Sequence, residues 1–550
     1  MIGMYLRTIS RKNADGSVVR YYQLAENVWD SEKRCAVAKV LYSFGRADQV
    51  DRQALQRLAG SILRVFADED LFSSEPDVRV LDSWPYGGLY ALEALWNELE
   101  IDSVIQEHGE GRADLIERAL FAMVANRALK PQSKLSCWEN WLEEEAFFPG
   151  AKDLELHHLY RAMDFLAEFK EPIERAVYFR TADLFNAEVD LIFYDTTSLH
   201  FEIDEEDEEG GRRRGYSKNG RSDAPQVVVG LAVTRDGLPV RSWVFPGDTS
   251  DVTTVEKVKA DLRGWKLNRC VFVGDAGMNS AENRRTLALG GGKYILATRL
   301  RAGDEVTEDV LTRAGRYQVV AQNLEVKEVV VGDGERRRRY VVCFNPQEAE
   351  RQAKHREKVI EHLEAELATL RPPVRGAQHS KRTCELVTTE RYRRYLRQTP
   401  RGVPKIDRAA IAAETKRDGK WVITTNDDTL SAEDLALGYK QLMRVEQCWR
   451  VMKSGLKTRP VFHWKPRRIE AHITLCVLAL LLERMAEIRT GDTWRNIQAK
   501  LEKIKVVEYE RGTARVRQTT EVRADTLDLL RLLKIPLPPK LHAVNPTAAA

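Results

Sequence analysis

The order of strand and helix signals between residues 189 and 298 constrains the fold more than any other feature of this 550-residue chain. Strand-like runs begin at Val189 and include two that are joined by an Asp236-Gly237 turn. Helical and strand patterns then alternate up to residues 293–298. This β-β-β-α-β-α-β order predicts an α/β fold with a mixed sheet, in which the first and fourth strands are neighbours.

An aspartate follows the first and the fourth of these predicted strands. Asp195 comes after the apolar run 191–194, and Asp275 comes shortly after the run 271–273. An Asp in such a place is most often a turn residue or a helix N-cap. However, α/β sheets carry their ligand-binding groups at the carboxyl ends of strands. Because the two strands are predicted to be neighbours, we expect Asp195 and Asp275 to lie side by side.

A third notable carboxylate lies in a predicted helix at the end of the core. The segment 439–460 follows a capping signal that begins at Ser431, and Pro460 is expected to end the helix. At about 100° per residue, Glu446 shares one face with several other side chains. These are Tyr439, Lys453 and Lys457, with Arg450 beside them. Such a face indicates an anionic partner, although an exposed helix with a Glu446–Arg450 ion pair is the simpler alternative.

A cluster of three carboxylates needs a cation, because like charges repel one another unless a positive charge lies between them. Asp and Glu oxygens are typical ligands of Mg²⁺ and Mn²⁺. Two such ions about 4 Å apart can activate a water or a 3′-hydroxyl and stabilise the leaving oxygen of a phosphoryl transfer. Asp195 would be the shared ligand, with Asp275 and Glu446 on either side. The cations near Glu446 would then hold a nucleic-acid backbone.

Composition narrows the class of protein. The 86 Lys and Arg residues nearly balance 83 Asp and Glu residues, so any contact with nucleic acid must come from local basic clusters. The seven cysteines are scattered without a CxxC pair, which argues against a zinc ribbon and against a disulfide framework. The longest apolar stretch, 473–482, is too short to span a bilayer, and no signal peptide is visible. We therefore expect a cytoplasmic protein without a membrane partner.

Periodicity and composition divide the chain into six segments. Residues 1–75 are predicted to form a small basic β module with a helix, including a hairpin at Asp15-Gly16. The remaining segments are a helical domain (76–186), the first part of the mixed-sheet core (187–300), an inserted subdomain (301–420), the second part of the core (421–490) and a C-terminal segment (491–550). The inserted subdomain is expected to contain a long hairpin around Gly332-Asp333-Gly334.

Longer stretches resemble DDE transposases of the IS4-like superfamily, most closely those of the IS1634 group of insertion sequences. The matching pieces between about residues 190 and 475 are YDTTSLHFE, GYSKNGRSDAPQVVVGLAV, VFPGDTSD, GDAGMNS and YKQLMRVEQCWRVMKSGLKTRPVFHWKPRRIEAHI, and NRALKPQSK precedes them. The resemblance implies an RNase H-like catalytic core, interrupted by a β-rich insertion before the catalytic Glu. It also implies that Asp195, Asp275 and Glu446 are catalytic ligands of Mg²⁺, for which Mn²⁺ can substitute.

The same resemblance implies partners and a location. The protein would bind double-stranded DNA, both the terminal inverted repeats and the target, and would transfer strands as a homodimer or higher multimer in a synaptic complex. Residues 1–75 would bind the DNA ends, and the protein would be associated with the nucleoid. The residues expected to contact DNA are Tyr216, Lys218, Arg221, Tyr439, Arg450, Lys453, Lys457 and Arg459. For the first three, ordinary turn chemistry is the alternative.

Two other functions stay open at this point. One is another RNase H-like nuclease, and the other is a catalytically inactive, domesticated transposase that only binds DNA. One position also departs from the superfamily signature, in which Tyr, Arg, Glu and Lys follow at spacings of three, four and seven residues. Leu442 stands where the Arg is expected, and Arg450 is the candidate for the missing phosphate contact. The neighbouring residues expected to be structural are Trp449, His463 and His472.

Overall fold

The chain forms two compact units. The computed structural model describes residues 4–12, 18–30, 35–51, 54–55, 57–58, 78–185, 190–207, 211–218, 220–267, 270–300, 306–334, 337–370, 381–399 and 402–546. The first unit comprises Met1–Leu81, Tyr509–Val516 and Asn545–Ala550. The second comprises Asp82–Glu508 and Arg517–Val544, and it contains all the candidate catalytic residues.

A three-stranded antiparallel sheet is the main feature of the first unit. Its strands are β1 (Met4–Lys12), β2 (Val18–Asp30) and β3 (Cys35–Arg46), with β2 in the middle. The hydroxyl of Tyr5 on β1 donates a hydrogen bond to Oδ1 of Asn27 on β2, at 2.9 Å. The predicted small antiparallel sheet is therefore present, while the predicted turn at Asp15-Gly16 lies outside the described residues.

A helical section follows β4 (Val78–Pro85) in the chain. Its helices are α1 (Gly87–Glu98), α2 (Ile101–His108), α3 (Ala113–Leu129), α4 (Lys134–Ser136), α5 (Leu156–Glu168) and α6 (Lys170–Leu184), with a π-helix at Cys137–Glu145 and a 3₁₀ turn at Pro149–Ala151. Trp96 and Phe121 are fully buried among these helices, with ring centroids 5.7 Å apart. The α4 start is capped by Ser133, whose hydroxyl accepts a hydrogen bond from the amide of Ser136.

The predicted mixed sheet lies at the centre of the second unit. Its first elements are β5 (Leu191–His200), β6 (Gln226–Thr234), β7 (Pro239–Pro246), α7 (Asp251–Gly264), β8 (Val271–Gly274), α8 (Ala281–Ala288) and β9 (Lys293–Thr298). β5, β6 and β7 are antiparallel neighbours, whereas β5 pairs with β8, and β8 with β9, in parallel. The prediction that the first and fourth strands are neighbours is confirmed. The parallel strands are apolar and buried, as expected for strands that are covered on both faces.

The segment between β9 and the Glu446 helix adds strands, helices and a short ribbon. In chain order these are a π-helix (Val306–Val310), β10 (Gln318–Ala321), β11 (Leu324–Val331), β12 (Arg338–Phe344), α9 (Pro346–Thr369), α10 (Lys381–Thr388), α11 (Glu390–Arg393), β13 (Leu396–Gln398), β14 (Pro404–Ile406), α12 (Arg408–Thr415) and β15 (Lys420–Thr425).

The strands of this segment differ from the prediction of a separate β-rich insertion. β12 pairs with β15 and β15 pairs with β9, so the sheet order is β10-β11-β12-β15-β9-β8-β5-β6-β7. The predicted hairpin of β11 and β12 thus extends the central sheet, because β15 supplies a partner edge on which it can pair. The part of the segment that stands apart from the sheet is α9 to α12 with the β13–β14 ribbon.

The helix predicted at residues 439–460 is interrupted. Its parts are α13 (Ala432–Lys440), α14 (Met443–Arg450) and a π-helix (Val451–Gly455). The predicted cap is confirmed, since the Ser431 hydroxyl accepts the amide of Asp434 at 3.0 Å. Between α13 and α14 the turn tightens, and the amide of Arg444 bonds to the carbonyl of Gln441 at 2.8 Å. Lys457, with a φ of +45°, ends the helical path, so the prediction of one continuous helix ended by a proline is wrong.

The remaining elements complete the chain. They are α15 (Pro466–Thr490), α16 (Trp494–Leu501), β16 (Lys505–Arg511), β17 (Ala514–Thr519), α17 (Ala524–Leu533) and β18 (Leu541–Pro546). α15 is buried over most of its length and packs against α3, α5 and β7. Among the described helices, none is both long and apolar enough to cross a membrane.

Candidate active site

Asp195 and Asp275 lie beside each other on neighbouring parallel strands. Phe193 is opposite Val273 in the β5–β8 pairing, and the same register two residues further brings Asp195 next to Asp275. The predicted juxtaposition is therefore confirmed. One detail differs from the prediction, because Asp195 lies inside β5 rather than in a loop. β5 loses its β8 partner at this point but continues to His200 by pairing with β6.

Burial and repulsion raise the pKa of both aspartates. The side chain of Asp195 is only 17% exposed. Desolvation raises its pKa to about 6, and the charges of Asp275 and Asp251 act in the same direction. Desolvation also raises the pKa of Asp275, although its Oδ1 accepts a hydrogen bond from the Gly277 amide at 2.9 Å. Two adjacent carboxylates that resist ionisation make this a place that favours a cation.

The ammonium group of Lys218 lies among these carboxylates. Its Nζ is 3.6 Å from Oδ1 of Asp195 and 3.0 Å from Oδ2 of Asp251. It also donates hydrogen bonds to the carbonyl and the hydroxyl of Thr196, at 2.9 and 2.8 Å. Burial lowers the pKa of Lys218, but the carboxylates outweigh it and the net direction is upward. The sequence predicts Lys218 only as a DNA contact, and the structure adds this position inside the site.

Asp251, the first residue of α7, is a member of the site that the sequence analysis does not identify. The Thr196 hydroxyl donates a short hydrogen bond to its Oδ1. A Cβ atom at Gly277 would lie 3.1 Å from both Oδ2 of Asp251 and Oδ1 of Asp275, so the two carboxylates flank this glycine closely. A usable signal exists in the strand order. β7 is parallel to β5, so the residues after β7 reach the same sheet edge as Asp195 and Asp275.

Close backbone packing fixes the loop that carries Lys218. A Cβ atom at Gly215 would lie 2.2 Å from the carbonyl oxygen of Gly247, so only glycine fits where the loop crosses the turn after β7. The buried side chain of Gln226 joins the two segments, because its Nε2 donates to the carbonyls of Tyr216 and Gly247 at 3.1 and 2.9 Å. The position of Lys218 beside the aspartates is therefore set by long-range contacts.

The face of the interrupted helix that carries Glu446 has the aspartates nearby at each end of the helix, beside Tyr439 at the first end and beside Lys453 at the other. Burial raises the pKa of Tyr439, and the charges of Asp275 and Glu446 raise it further. Burial lowers the pKa of Lys453, whereas the nearby Asp195 opposes that change. Glu446 is exposed and lies between these two residues on α14, which packs against β5 and β6. The turn before α14 is tightened and the turn after it is widened, so the two distortions offset each other. Tyr439, Glu446 and Lys453, which are seven residues apart, therefore stay on one face.

The other predicted DNA-contact residues divide into paired and exposed side chains. Arg221 is paired with Asp223, Nε to Oδ1 at 3.1 Å, and Nη1 of Arg459 lies 2.9 Å from Nδ1 of His200. The exposed members are Tyr216, Arg450 and Lys457. Leu442, which stands where the superfamily has an Arg, is buried in the core. Because the Leu442 position faces the core, the helix is not shifted in a way that would bring a neighbouring arginine to the place of the missing Arg.

A cavity of about 600 Å³ opens beside the carboxylates. Its lining includes Tyr216, Lys218, Asp251, Asn279, Arg284 and Arg299. Arg284 and Arg299 are cations that the sequence analysis does not identify. Arg299 directly follows β9, which is parallel to β8, so it reaches the same sheet edge as Asp275. The cavity therefore has the carboxylate of Asp251 and two arginines in its lining, an arrangement suited to a phosphate-containing substrate beside a cation.

The donor set suits a hard divalent cation. Asp195 and Asp275 could offer oxygen ligands, and the ammonium of Lys218 shows that a positive charge is stable beside them. Among the residues that the structure describes, no three carboxylate, imidazole or thiol groups stand close enough together to hold a metal ion by themselves. A third ligand would have to approach from another element, such as Glu446 on α14.

Several residues near the site have structural partners. The carboxylate of Glu470 lies 2.9 Å from Nζ of Lys170. Trp449 is buried on the inner side of α14, and His472 is buried with Nε2 3.0 Å from the carbonyl of Thr458. The expectation that Trp449 and His472 are core residues is confirmed. Burial lowers the pKa of His463 to about 4, which keeps its ring neutral.

Comparisons with known proteins show the family to which the chain belongs. Residues 190–482, more than half of the chain, match the family model described as a transposase DDE domain, and the protein belongs to that family. Residues 6–75 match the N-terminal domain of IS1634 family transposases, so the chain is an IS1634-type DDE transposase. The family predicted from the sequence is confirmed.

The chain also aligns with a solved transposase structure. The structure, described as the cryo-EM structure of the piggyBac transposase synaptic complex with hairpin DNA, aligns with 71% of this chain and 70% of its own chain, at 9% identity and a TM-score of 0.34. A TM-score at this level indicates only a distant likeness. No curated protein matches the chain at a significant level.

Proposed function

We propose that this transposase cleaves DNA at the ends of its insertion sequence and joins those ends to a target by metal-assisted phosphoryl transfer. The observation that carries the proposal is the pair of partly buried carboxylates, Asp195 and Asp275, with the Lys218 ammonium beside them. Buried charges of one sign are costly unless a cation or a substrate uses them. The family match supports transposition as that use.

Asp195 and Asp275 would hold Mg²⁺ or Mn²⁺, and Glu446 would complete the ligand set from α14. When bound, such an ion supplies charge neutralisation and lowers the pKa of a water or of a 3′-hydroxyl. The chain itself supplies the surroundings. Tyr439 keeps its proton at neutral pH, because its pKa is raised, and it can act as a hydrogen-bond donor among the three carboxylates.

Cations around the cavity would position the DNA backbone. Lys453 lies on the π-helix after α14, and Arg459 follows the end of the helical path. Arg284 and Arg299 line the cavity from α8 and from the end of β9. Arginine forks match phosphate oxygens, and such contacts give affinity and orientation but little sequence information. Exposed Tyr216, with 88% of its surface accessible, is available to a bound DNA strand.

Recognition of the terminal inverted repeats is proposed for residues 1–75. The match of residues 6–75 to an IS1634 N-terminal domain supports this assignment, as does the separate antiparallel sheet of β1 to β3. Two or more copies of the chain would act in a synaptic complex, because both ends of an element must be joined to one target. Deleting residues 1–75 should reduce the preference for the element's ends more than it reduces binding to unrelated DNA.

A cleavage assay on a duplex that carries the element's end tests the proposal. Wild type should cut the end in Mg²⁺ or Mn²⁺ and not in EDTA, whereas Asp195→Asn and Asp275→Asn should bind the same DNA without cutting it. Asp190→Asn is the matched control, because Asp190 precedes β5 at the opposite end of the strand and pairs with Arg235. It should cut at the wild-type rate.

Each alternative has its own result in this assay. Wild-type protein that binds the end but does not cut it in either metal would indicate a DNA-binding protein without catalysis. Cutting of unrelated duplexes as readily as the element's end would indicate a general nuclease. Cleavage near the wild-type rate by Asp195→Asn or Asp275→Asn would refute the assignment of the site.

A further inference from the structure

The surface formed by α11, β13, β14 and the start of α12 has an unusual concentration of positive charge. We call this surface the basic ribbon. Its exposed cations are Arg391, Arg393, Arg394, Arg397, Lys405 and Arg408. Within the described part of the chain, no carboxylate forms an ion pair with any of the six. The carboxylate of Asp407, which lies among them, accepts the amides of Ala409 and Ala410 at 3.0 and 3.1 Å and serves as a helix cap.

Two of these cations stand directly opposite each other. β13 and β14 pair over three residues, and Arg397 is the cross-strand partner of Lys405. Like charges in directly opposite positions destabilise a sheet, and a ribbon this short has few other contacts to compensate. The arrangement is therefore unfavourable in the free protein and becomes favourable when an anion lies between or across the two side chains.

Several cations elsewhere in the same section are paired. Lys354 lies 2.6 Å from Glu350, and Arg382 makes hydrogen bonds of 2.8 and 3.0 Å to Glu366. Buried Arg356 is held by Asp418, with Nη1 2.6 Å from Oδ1. The chain thus places acidic partners beside the four arginines and lysines Arg351, Lys354, Arg356 and Arg382 of α9 and α10, but not beside those of the basic ribbon.

The ribbon is held on a small core of its own. Val359, Leu363, Leu386 and Tyr395 are buried together, and Leu396 and Ile411 pack against them. The guanidinium of Arg394 lies 5.5 Å from the ring centroid of Tyr395, which restricts its movement. A cavity of about 540 Å³ lies next to it, between α9 and α11, and its charged lining residues are Arg351, Arg356, Arg391, Arg394, Glu414 and Asp418.

We propose that the basic ribbon binds the phosphate backbone of duplex DNA without regard to sequence, at a place separate from the Asp195–Asp275 site. Unpaired, partly fixed guanidinium groups match the geometry of phosphate oxygens. Phosphates between Arg397 and Lys405 remove the repulsion that the free protein carries. This inference rests on the proposed function, because it assigns further contacts to the same DNA substrate.

Charge variants of the full-length protein test the proposal. The ribbon variant Arg394→Gln/Arg397→Gln removes two unpaired charges. The matched control Lys354→Gln/Arg382→Gln removes two charges that already have acidic partners. The probe is a fluorescent duplex of unrelated sequence in EDTA, and its affinity is measured by anisotropy between 50 and 200 mM salt.

The salt dependence gives the expected magnitude. Each lost phosphate contact lowers the slope of log affinity against log salt by about 0.9, so the ribbon variant should lose about 1.8 from the wild-type slope. Over this fourfold range of salt, its affinity should fall about 12-fold less than that of wild type. The control should keep the wild-type slope.

A charge reversal separates binding from folding. Lys405→Glu places opposite charges across the ribbon, so the thermal midpoint of the free protein should equal or exceed that of wild type, while DNA affinity at 50 mM salt falls at least tenfold. A ribbon variant and a Lys405→Glu variant that both bind with the wild-type affinity and slope would overturn the proposal. The charges would then act only to keep short strand edges from pairing with other chains. Wild type that binds no duplex at 50 mM salt would overturn this inference together with the proposed function.

Discussion

Replacing Asp195 with Asn should stabilise the metal-free protein at pH 8 while it abolishes cleavage. The ordinary pKa of this carboxyl is 3.8, and desolvation raises it to about 6 in the folded protein. The folded state therefore binds more protons than the unfolded state between these values. Stability of the wild type must then decrease as the pH rises through this window, and the full penalty applies above about pH 6. Asn fills the same space without this cost.

The size of the effect follows from the shift. An increase of about 2 units corresponds to about 3 kcal/mol at pH 8. The attraction of Lys218, whose Nζ lies 3.6 Å from Oδ1 of Asp195, is already included in this shift, because it lowers the pKa of Asp195. We therefore expect a gain of about 3 kcal/mol at pH 8. For a unit of this size, about 1 kcal/mol corresponds to about 1 °C, so the midpoint should rise by about 3 °C.

Thermal unfolding in EDTA at pH 8 and pH 5, followed by circular dichroism, measures this gain. At pH 5 the gain should be about half as large, because the Asp195 carboxyl of the folded wild type is then mostly protonated. Asp164→Asn is a control of opposite sign. The hydrogen bonds from Arg468, at 2.9 and 2.8 Å, lower the pKa of Asp164, so its replacement should destabilise the protein at pH 8. Adding Mg²⁺ should raise the midpoint of the wild type more than that of Asp195→Asn.

Two results would refute this reasoning. A lower midpoint for Asp195→Asn than for the wild type at pH 8 would mean that the carboxylate stabilises the fold through its hydrogen bonds and its ion pair with Lys218. A gain of equal size at pH 5 and pH 8 would mean that the effect has nothing to do with ionisation. In either case burial would not raise the pKa of Asp195 in the folded protein.

Three further predictions concern individual residues. Glu446→Gln should eliminate cleavage and strand transfer in a duplex assay, whereas Glu470→Gln, whose carboxylate pairs with a lysine, should keep most of the activity; the reverse result would assign the third ligand to Glu470. Lys453→Ala should weaken binding to all duplexes and lower the salt slope by about 1, and an unchanged slope would exclude a phosphate contact. Lys218 now contacts the carboxylates of Asp195 and Asp251, and Asp251→Asn should leave it with Asp195 alone of these two. Because Lys218 then competes more strongly with the metal for Asp195, half-maximal cleavage should need about tenfold more Mg²⁺. An unchanged Mg²⁺ requirement with reduced activity would point to a different role for Asp251.

The sequence by itself determined the elements whose pattern is local. Strand-like runs and the helices between them were readable from periodicity, and the order of these elements predicted that β5 and β8 are neighbours. That prediction was enough to bring Asp195 and Asp275 together, because adjacent parallel strands end at the same edge of a sheet. The cap at Ser431 was likewise visible, since one side chain and one amide three residues on define it.

Only the tertiary structure decided the features that depend on distant partners. The β11–β12 hairpin joins the central sheet because β15, about 80 residues further along the chain, offers it an edge. Lys218 reaches the carboxylates because its loop is held by Gly247 and Gln226, and Asp251 enters the site because β7 runs parallel to β5. The turns that interrupt the Glu446 helix follow the packing of α14 on the sheet. Side-chain periodicity records which face of an element is buried, but it carries no information about which distant surface covers that face.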